Sequence, residues 1–304
     1  MDFKPLIKPF STRPDNQWLK GDRGQPLQPA LVTMVRDQLT ISSWLALGAC
    51  LTFPLYTFLG PKAVIPAAVL LGWRILDSVL MTVGLKHNPR MDNVLNTKFA
   101  AQFPDQTGAW GNKAAHNGIC VILLGARSNH PLGMLAPNFK EVSDRFDGMM
   151  YELEKNKSAD DYGFLGATRY ISMNERKTNN DIMTMMWFRN ADGLRRFAHS
   201  PIHIDAWNWW NKIVKKHPFL TIWHEVYDVP PGHWEAIYAN AEPIGIAATT
   251  SKVYSPESKE AQYMQSVVDA RHSVLRTSFG RMDRTDGNDN DDLRGKIDLD
   301  VYGE

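Results

Sequence analysis

The segment ISSWLALGACLTFPLYTFL, residues 41–59, contains no charged residue and is long enough to cross the hydrocarbon core of a bilayer. GPK follows, and then AVIPAAVLLGWRILDSVLMTVGL, residues 63–85, whose only charges are Arg74 and Asp77. Three positions apart on a helix, these two share a face and can pair, which lowers the cost of placing them among lipid tails. Gly48, Gly72, Pro54 and Pro66 are better tolerated in spanning helices than in soluble ones. A hairpin buried inside a soluble domain is the alternative, but the length of both runs and their lack of charge favour a membrane hairpin over 41–85. Lys20, Arg23 and Arg36 precede it, Lys86, Arg90 and Lys98 follow it, and only Lys62 lies in the turn. Both flanks are therefore expected on the cytosolic side of an intracellular membrane such as the endoplasmic reticulum.

The remaining composition excludes several classes. A net charge of +1 over 304 residues gives no electrostatic case for nucleic acid. The two cysteines, Cys50 and Cys120, lie in apolar runs without a CxxC partner, against a disulfide framework or a thiolate zinc site. The first forty residues mix Pro, Lys, Arg and Asp, and lack the apolar core of a cleavable signal peptide.

After a polar stretch at 86–117, read as a linker, a second regime begins. GICVILLGARSN (118–129) is a short apolar run bounded by turn formers, as buried strands are. Residues 134–156 take the helical period, with Phe139, Val142, Phe146, Met149, Met150 and Leu153 on one side. GFLGATRYISM and DIMTMMWFRN read as a strand hairpin around the charged turn NERKTNN. In 191–216, Asp192 offers a cap for a short helix, and Ser200-Pro201 starts a second one. FLTIWHEVYDVP is the last strand. The order strand, helix, strand, strand, helix, strand predicts an α+β, ferredoxin-like βαββαβ domain over 118–250. Its bare sheet face is expected to be closed by a second copy, giving a dimeric α+β barrel, or by the hairpin. Residues 251–304 read as a largely disordered tail, with an amphipathic helix possible at 260–279.

WHEVYDVPPGHWEAIYAN, residues 223–240, combines strand chemistry with acids and histidines. Alternation puts Trp223, Glu225 and Tyr227 on one side of the strand and His224 and Val226 on the other. A carboxylate between aromatics, if dry, has a raised pKa suited to general acid or base work; Glu225 and His224 are the catalytic candidates. His203, Trp207 and Trp210 share a helical face, so His203 and Trp207, with Trp223 and Tyr238, are expected to wall an apolar substrate site. His199 and His203 are four apart, but the Ser-Pro break between them and the absence of HExxH argue against a metal. GxGxxG, P-loop and GxSxG motifs are absent, so no nucleotide or flavin site is indicated.

SPIHIDAW (200–207), IWHEVYDVPPGHWEAIYAN (222–240) and PIGIAA (243–248) together resemble the antibiotic-biosynthesis-monooxygenase superfamily of dimeric α+β barrels. With the N-terminal hairpin, the chain resembles its fungal membrane-associated type of the fumagillin pathway. The resemblance implies a monooxygenase tailoring an apolar secondary metabolite, terpenoid or polyketide, as a homodimer at a membrane. It leaves the cofactor unknown: cofactor-free oxygenation and haem are both compatible. A haem-dependent aldoxime-dehydratase-like enzyme and a non-catalytic ligand-binding or scaffold protein are the alternatives. The expected layout is a cytosolic segment at 1–40, the hairpin at 41–85, the linker at 86–117, the module at 118–250 and the tail at 251–304.

Overall fold

The structure, a computed structural model, describes residues 2–14, 38–155, 162–172, 181–254 and 260–284. The apolar runs form α1 (Ile41–Leu59) and α2 (Ile65–Thr82), joined by a 3-10 turn at Gly60–Val64. Thr40 starts α1: its hydroxyl accepts the Ser43 N–H at 3.3 Å, a donor that the helix itself leaves unsatisfied. Gly60 ends α1 at a φ of +57°, a left-handed value adopted cheaply by a residue without Cβ. Neither helix buries a residue. Together they make a 42-residue helical stretch that contains an 18-residue window of mean hydropathy 1.7, long and apolar enough to cross a membrane. The pairing expected between Arg74 and Asp77 is not the one adopted. Asp77 bonds Lys86, just past the end of α2.

β1 (Leu95–Ala100) follows, in the stretch that reads as a linker. Then come β2 (Ile119–Ser128), α3 (Phe139–Lys155), β3 (Phe164–Ile171), β4 (Ile182–Phe188), α4 (Ala191–Ala198), α5 (Pro201–Ile213) and β5 (Leu220–Val229). The four strands β2 to β5 form one antiparallel sheet in the order β3-β4-β2-β5, which is the ferredoxin-like arrangement the sequence predicts. The helix break falls at Ser200, with Pro201 in the first turn of α5. Asn190, not Asp192, caps α4: its side-chain oxygen accepts the Gly193 N–H at 2.8 Å. The helices cover one face of the sheet, where Cys120, Ile122, Met186 and Phe188 pack with Met150, Leu153 and Phe197.

The other face carries the main departures from expectation. β6 (Ile237–Ala241) is followed by β7 (Thr250–Tyr254), β8 (Ala261–Gln265), β9 (Val268–Asp269) and the short α6 (Ser278–Arg281). β6, β1 and β9 form a second sheet. Phe99, Trp234, Ile246 and Val267 of this flanking layer pack on Ile119, Leu165 and Trp187 of the first sheet. The chain's own flanks thus cover the Ile119–Trp187 half of the face that was expected to await a partner. Residues 86–117 are not a plain linker, since Trp110, Ala114 and Ala115 are buried there beside β1. Residues 250–254 and 260–284 are ordered rather than a disordered tail, and the expected helix at 260–279 is replaced by β8, β9 and short helical turns. Residues 285–304 lie outside the described residues. The N-terminus joins the same layer: Phe3 is buried, Pro5 bridges Val268 and Phe10 bridges Tyr263. The core of residues 118–250 is completed by both ends of the chain.

Candidate functional site

β5 is an edge strand, and its register fixes what each candidate faces. His224 stands opposite Leu124 and Glu225 opposite Leu123. Leu124 packs with the core under the helices, so His224 points to the helix side and Glu225 to the opposite side. The two neighbours cannot act on one substrate atom from opposite faces of a sheet. Of the six candidates, the helix side holds His224, His203 and Trp207; the flanked side holds Trp223, Glu225 and Tyr238.

On the flanked side the expectation of a dry carboxylate is not met. Glu225 is exposed, because β5 has no neighbour on its outer edge and the flanking layer stops short of its middle. Its carboxylate accepts the Tyr227 hydroxyl at 2.5 Å, and this bond holds the Tyr227 pKa above its ordinary value. Trp223 lies flat across β2 at Gly125. A Cβ on Gly125 would sit 2.2 Å from the indole, so no other residue fits under that ring. Gly125→Ala is expected to push Trp223 off the sheet at a cost of about 1–3 kcal/mol, read as a shift in the urea midpoint together with altered tryptophan emission. Tyr238 belongs to the core of the flanking layer. Its ring stacks on Phe99 at 4.9 Å, its hydroxyl accepts the Ala247 N–H at 3.4 Å, and burial raises its pKa. It is remote from His203 and does not share a wall with it.

On the helix side the geometry is more suggestive of chemistry. His203 is half-buried in the first turn of α5, edge-on to Phe197 at a centroid distance of 5.9 Å. Burial pushes its pKa below the ordinary histidine value, and nearby His224 and His199 push the same way, against a hydrogen bond to the Ala198 carbonyl. In its neutral form the ring keeps one nitrogen as a proton acceptor. His199 is otherwise engaged, as the C-cap of α4, with Nδ1 at 2.7 Å from the Arg195 carbonyl. α5 is oriented by Arg145 of α3, which bonds Asp205 at 2.7 Å and lies over the Trp209 ring at 4.8 Å. Trp207, one turn beyond His203, is exposed, as are Ile222, His224 and Val226 along the facing side of β5. These side chains form an open apolar strip between α5 and β5 with a neutral imidazole at its buried edge. Among the described residues no group of three or more His, Cys, Asp or Glu stands close enough to hold a metal ion.

Sequence reasoning missed Gly125 and Phe197. A glycine inside the apolar run ILLGARS is a sign of close approach by another group. Phe197 carries no such signal, because its role depends on how α4 folds against α5.

Comparison with known proteins gives the class to which this ferredoxin-like sheet and its histidine-edged strip belong. Residues 119–246 match the family model described as monooxygenase af470-like. The chain is an oxidoreductase by class, and residues 119–246 are similar to the af470-like monooxygenases. The monooxygenase af470 of Aspergillus fumigatus is 27% identical over 286 residues, covering 93% of this chain and 98% of that protein. Among solved structures, an aldoxime dehydratase in complex with butyraldoxime aligns with a TM-score of 0.38 and 15% identity, over 50% of this chain and 39% of that one. SnoaB, a cofactor-independent oxygenase from Streptomyces nogalater, aligns with a TM-score of 0.25 and 13% identity, over 37% of this chain and 93% of that one.

Proposed function

We propose that this chain is a membrane-anchored monooxygenase that tailors an apolar secondary metabolite, a terpenoid or polyketide, in a fungal pathway, with His203 as its base. The observation that carries the reading is the join of a 42-residue apolar helical stretch, neither of whose two α-helices buries a residue, to a monooxygenase-like module with an apolar, histidine-edged strip. Apolar intermediates partition into bilayers, and an anchored module meets them there. Both ends of the helical stretch attach to the same module, Gln38 through hydrogen bonds to Leu132 and Met134 and Leu95 through β1. A straight helix of 42 residues would reach about 63 Å, whereas a domain of this size is roughly 40 Å across. This supports a stretch that doubles back at Gly60–Val64 as a hairpin. The basic residues Lys86, Arg90 and Lys98 beyond it favour a cytosolic module at the endoplasmic reticulum.

The chemistry that fits His203 begins at an acidified C–H bond. The neutral imidazole removes a proton, the carbanion adds dioxygen, and the resulting hydroperoxide loses water to leave a carbonyl. One oxygen atom enters the product and the other leaves as water, so the substrate is the only reductant. Trp207 offers a flat surface for stacking. Trp207→Ala is expected to raise KM several-fold while leaving stability within about 0.5 kcal/mol, because the ring is exposed in the free protein; equal KM would remove it from the site. A second reading rests on the same residue. A neutral histidine beside an apolar strip has the donor chemistry that would hold a haem iron. A Soret band in haem-reconstituted wild type that His203→Ala loses would select it.

The open half of the flanked face, with Trp223, Glu225 and Tyr227, supports a homodimer closed through this strip. The anchoring is tested by excision. Replacing 41–85 with a flexible linker should keep the urea midpoint and lower turnover of vesicle-borne substrate. Deleting 1–90 should instead destabilise the fold, since it also removes Phe3, Pro5 and Phe10 from the flanking layer. Unchanged turnover of the excised protein would count against the membrane reading.

A further inference from the structure

We infer that the loop Pro131–Leu135, together with the lysines closing α5, is a second bilayer contact: a leucine tip that enters the interface of an anionic membrane beside the hairpin. The inference rests on the membrane reading of α1 and α2 and adds a site to it. Gln38 lies two residues before the Thr40 cap of α1, so it marks the level at which the chain enters the bilayer. Its side chain donates to the Leu132 carbonyl at 2.7 Å and accepts the Met134 N–H at 3.3 Å. The loop is therefore clasped to the foot of the first helix. Two hydrogen bonds to its backbone fix the loop there while the side chains of Leu132 and Leu135 stay exposed. Leu132 is 53% and Leu135 74% exposed. In water two neighbouring exposed leucines on a tight turn gain nothing, whereas at the headgroup boundary each removes apolar surface from water.

The charges beside the loop complement an anionic lipid surface. Lys212, Lys215 and Lys216 are exposed at the end of α5. The turn that follows them is tied to the loop region by His217 to Asn138 at 2.8 Å and by the Phe219 ring against His130 at 4.7 Å. Leucines on a tip flanked by lysines match the two layers of an interface, acyl chains below and acidic headgroups above. The same end of the sheet begins β5. Met134 and Phe219 pack with Leu220, and Ile222 and His224 continue along the helix side of the strand. The loop thus sits where an apolar molecule would leave the bilayer and enter the strip that leads to His203.

The test uses the full chain with Cys50→Ser, Cys120 being buried, and an environment-sensitive fluorophore on a single introduced cysteine. Labels are placed at Leu135→Cys, at Leu51→Cys in α1, and at Lys113→Cys away from the loop, in vesicles of phosphatidylcholine with or without phosphatidylserine. The inference expects the Leu135 label to shift to the blue and to be quenched by headgroup-proximal nitroxide lipid, more strongly with phosphatidylserine. Lys212→Gln, Lys215→Gln and Lys216→Gln together should abolish that lipid dependence, and the Lys113 label should stay aqueous. An aqueous Leu135 label beside a quenched Leu51 label overturns the inference and leaves the membrane reading standing. A blue-shifted but unquenched Leu135 label overturns it in favour of a protein cover. An aqueous Leu51 label overturns both.

Discussion

His203→Gln lowers turnover by about a hundred- to ten-thousand-fold, the usual worth of a positioned general base, while the protein stays folded. Glutamine keeps a hydrogen-bond donor and much of the ring's volume, so the change removes the basic ring nitrogen rather than the packing. The pH profile separates this role from a structural one. Burial lowers the proton affinity of His203 in the folded chain, so its neutral, competent form persists below the ordinary histidine pKa. kcat/KM should hold level as pH falls past 6.5 and decline only below that, and the declining limb should vanish from the residual activity of His203→Gln. A purely packing role would lower activity by the same factor at every pH. Glu225→Gln, on the opposite face and exposed, should leave the profile and the rate nearly unchanged.

Trp234→Ala carries the largest expected loss of stability, about 3–5 kcal/mol for emptying a buried tryptophan site. Trp234 is buried among Phe99, Ala115, Ile119 and Val267 and meets Phe103 at 5.4 Å, and its Nε1 donates to the Asn117 carbonyl at 2.7 Å. Truncation opens a cavity between the two sheets and strands that carbonyl. Against a total of about 5–15 kcal/mol for a typical domain, this moves the urea midpoint far to the left. A change below about 1 kcal/mol would mean that the flanking layer is loosely attached, contrary to its burial of Phe99 and Val267 at 0% exposure.

What was legible in the sequence followed from local period. The βαββαβ order, the break at Ser200-Pro201 and the alternation along 223–227 each depend on residues within a few positions of one another, and the structure reproduces them. The flanking layer was not legible. β1 and β9 are short, β1 pairs with β6 across more than a hundred residues, and LNTKFA has one large buried side chain, Phe99, among polar ones. Strands of that kind are made by their partners rather than by their own pattern. The site failed in sequence for a related reason. WHEVYDV shows which side chains share a face, but the exposure of Glu225 depends on β5 being an edge strand, a property of the sheet order. His203 drew notice for its aromatic stripe. The features that set its proton affinity, burial beside Phe197 and nearness to His224, come from the fold of α4, α5 and β5 together.

The most direct test of the account is heavy-dioxygen labelling of the product. Disrupting the gene in the organism that carries it should accumulate a precursor short of one oxygen, and the full-length protein in phosphatidylcholine vesicles should convert that precursor. The account predicts one heavy oxygen atom in the product with wild type and with Glu225→Gln at similar yield, and a yield of labelled product at least about a hundredfold lower with His203→Gln. Full incorporation by His203→Gln together with loss in Glu225→Gln would contradict it, placing the chemistry on the other face of the sheet.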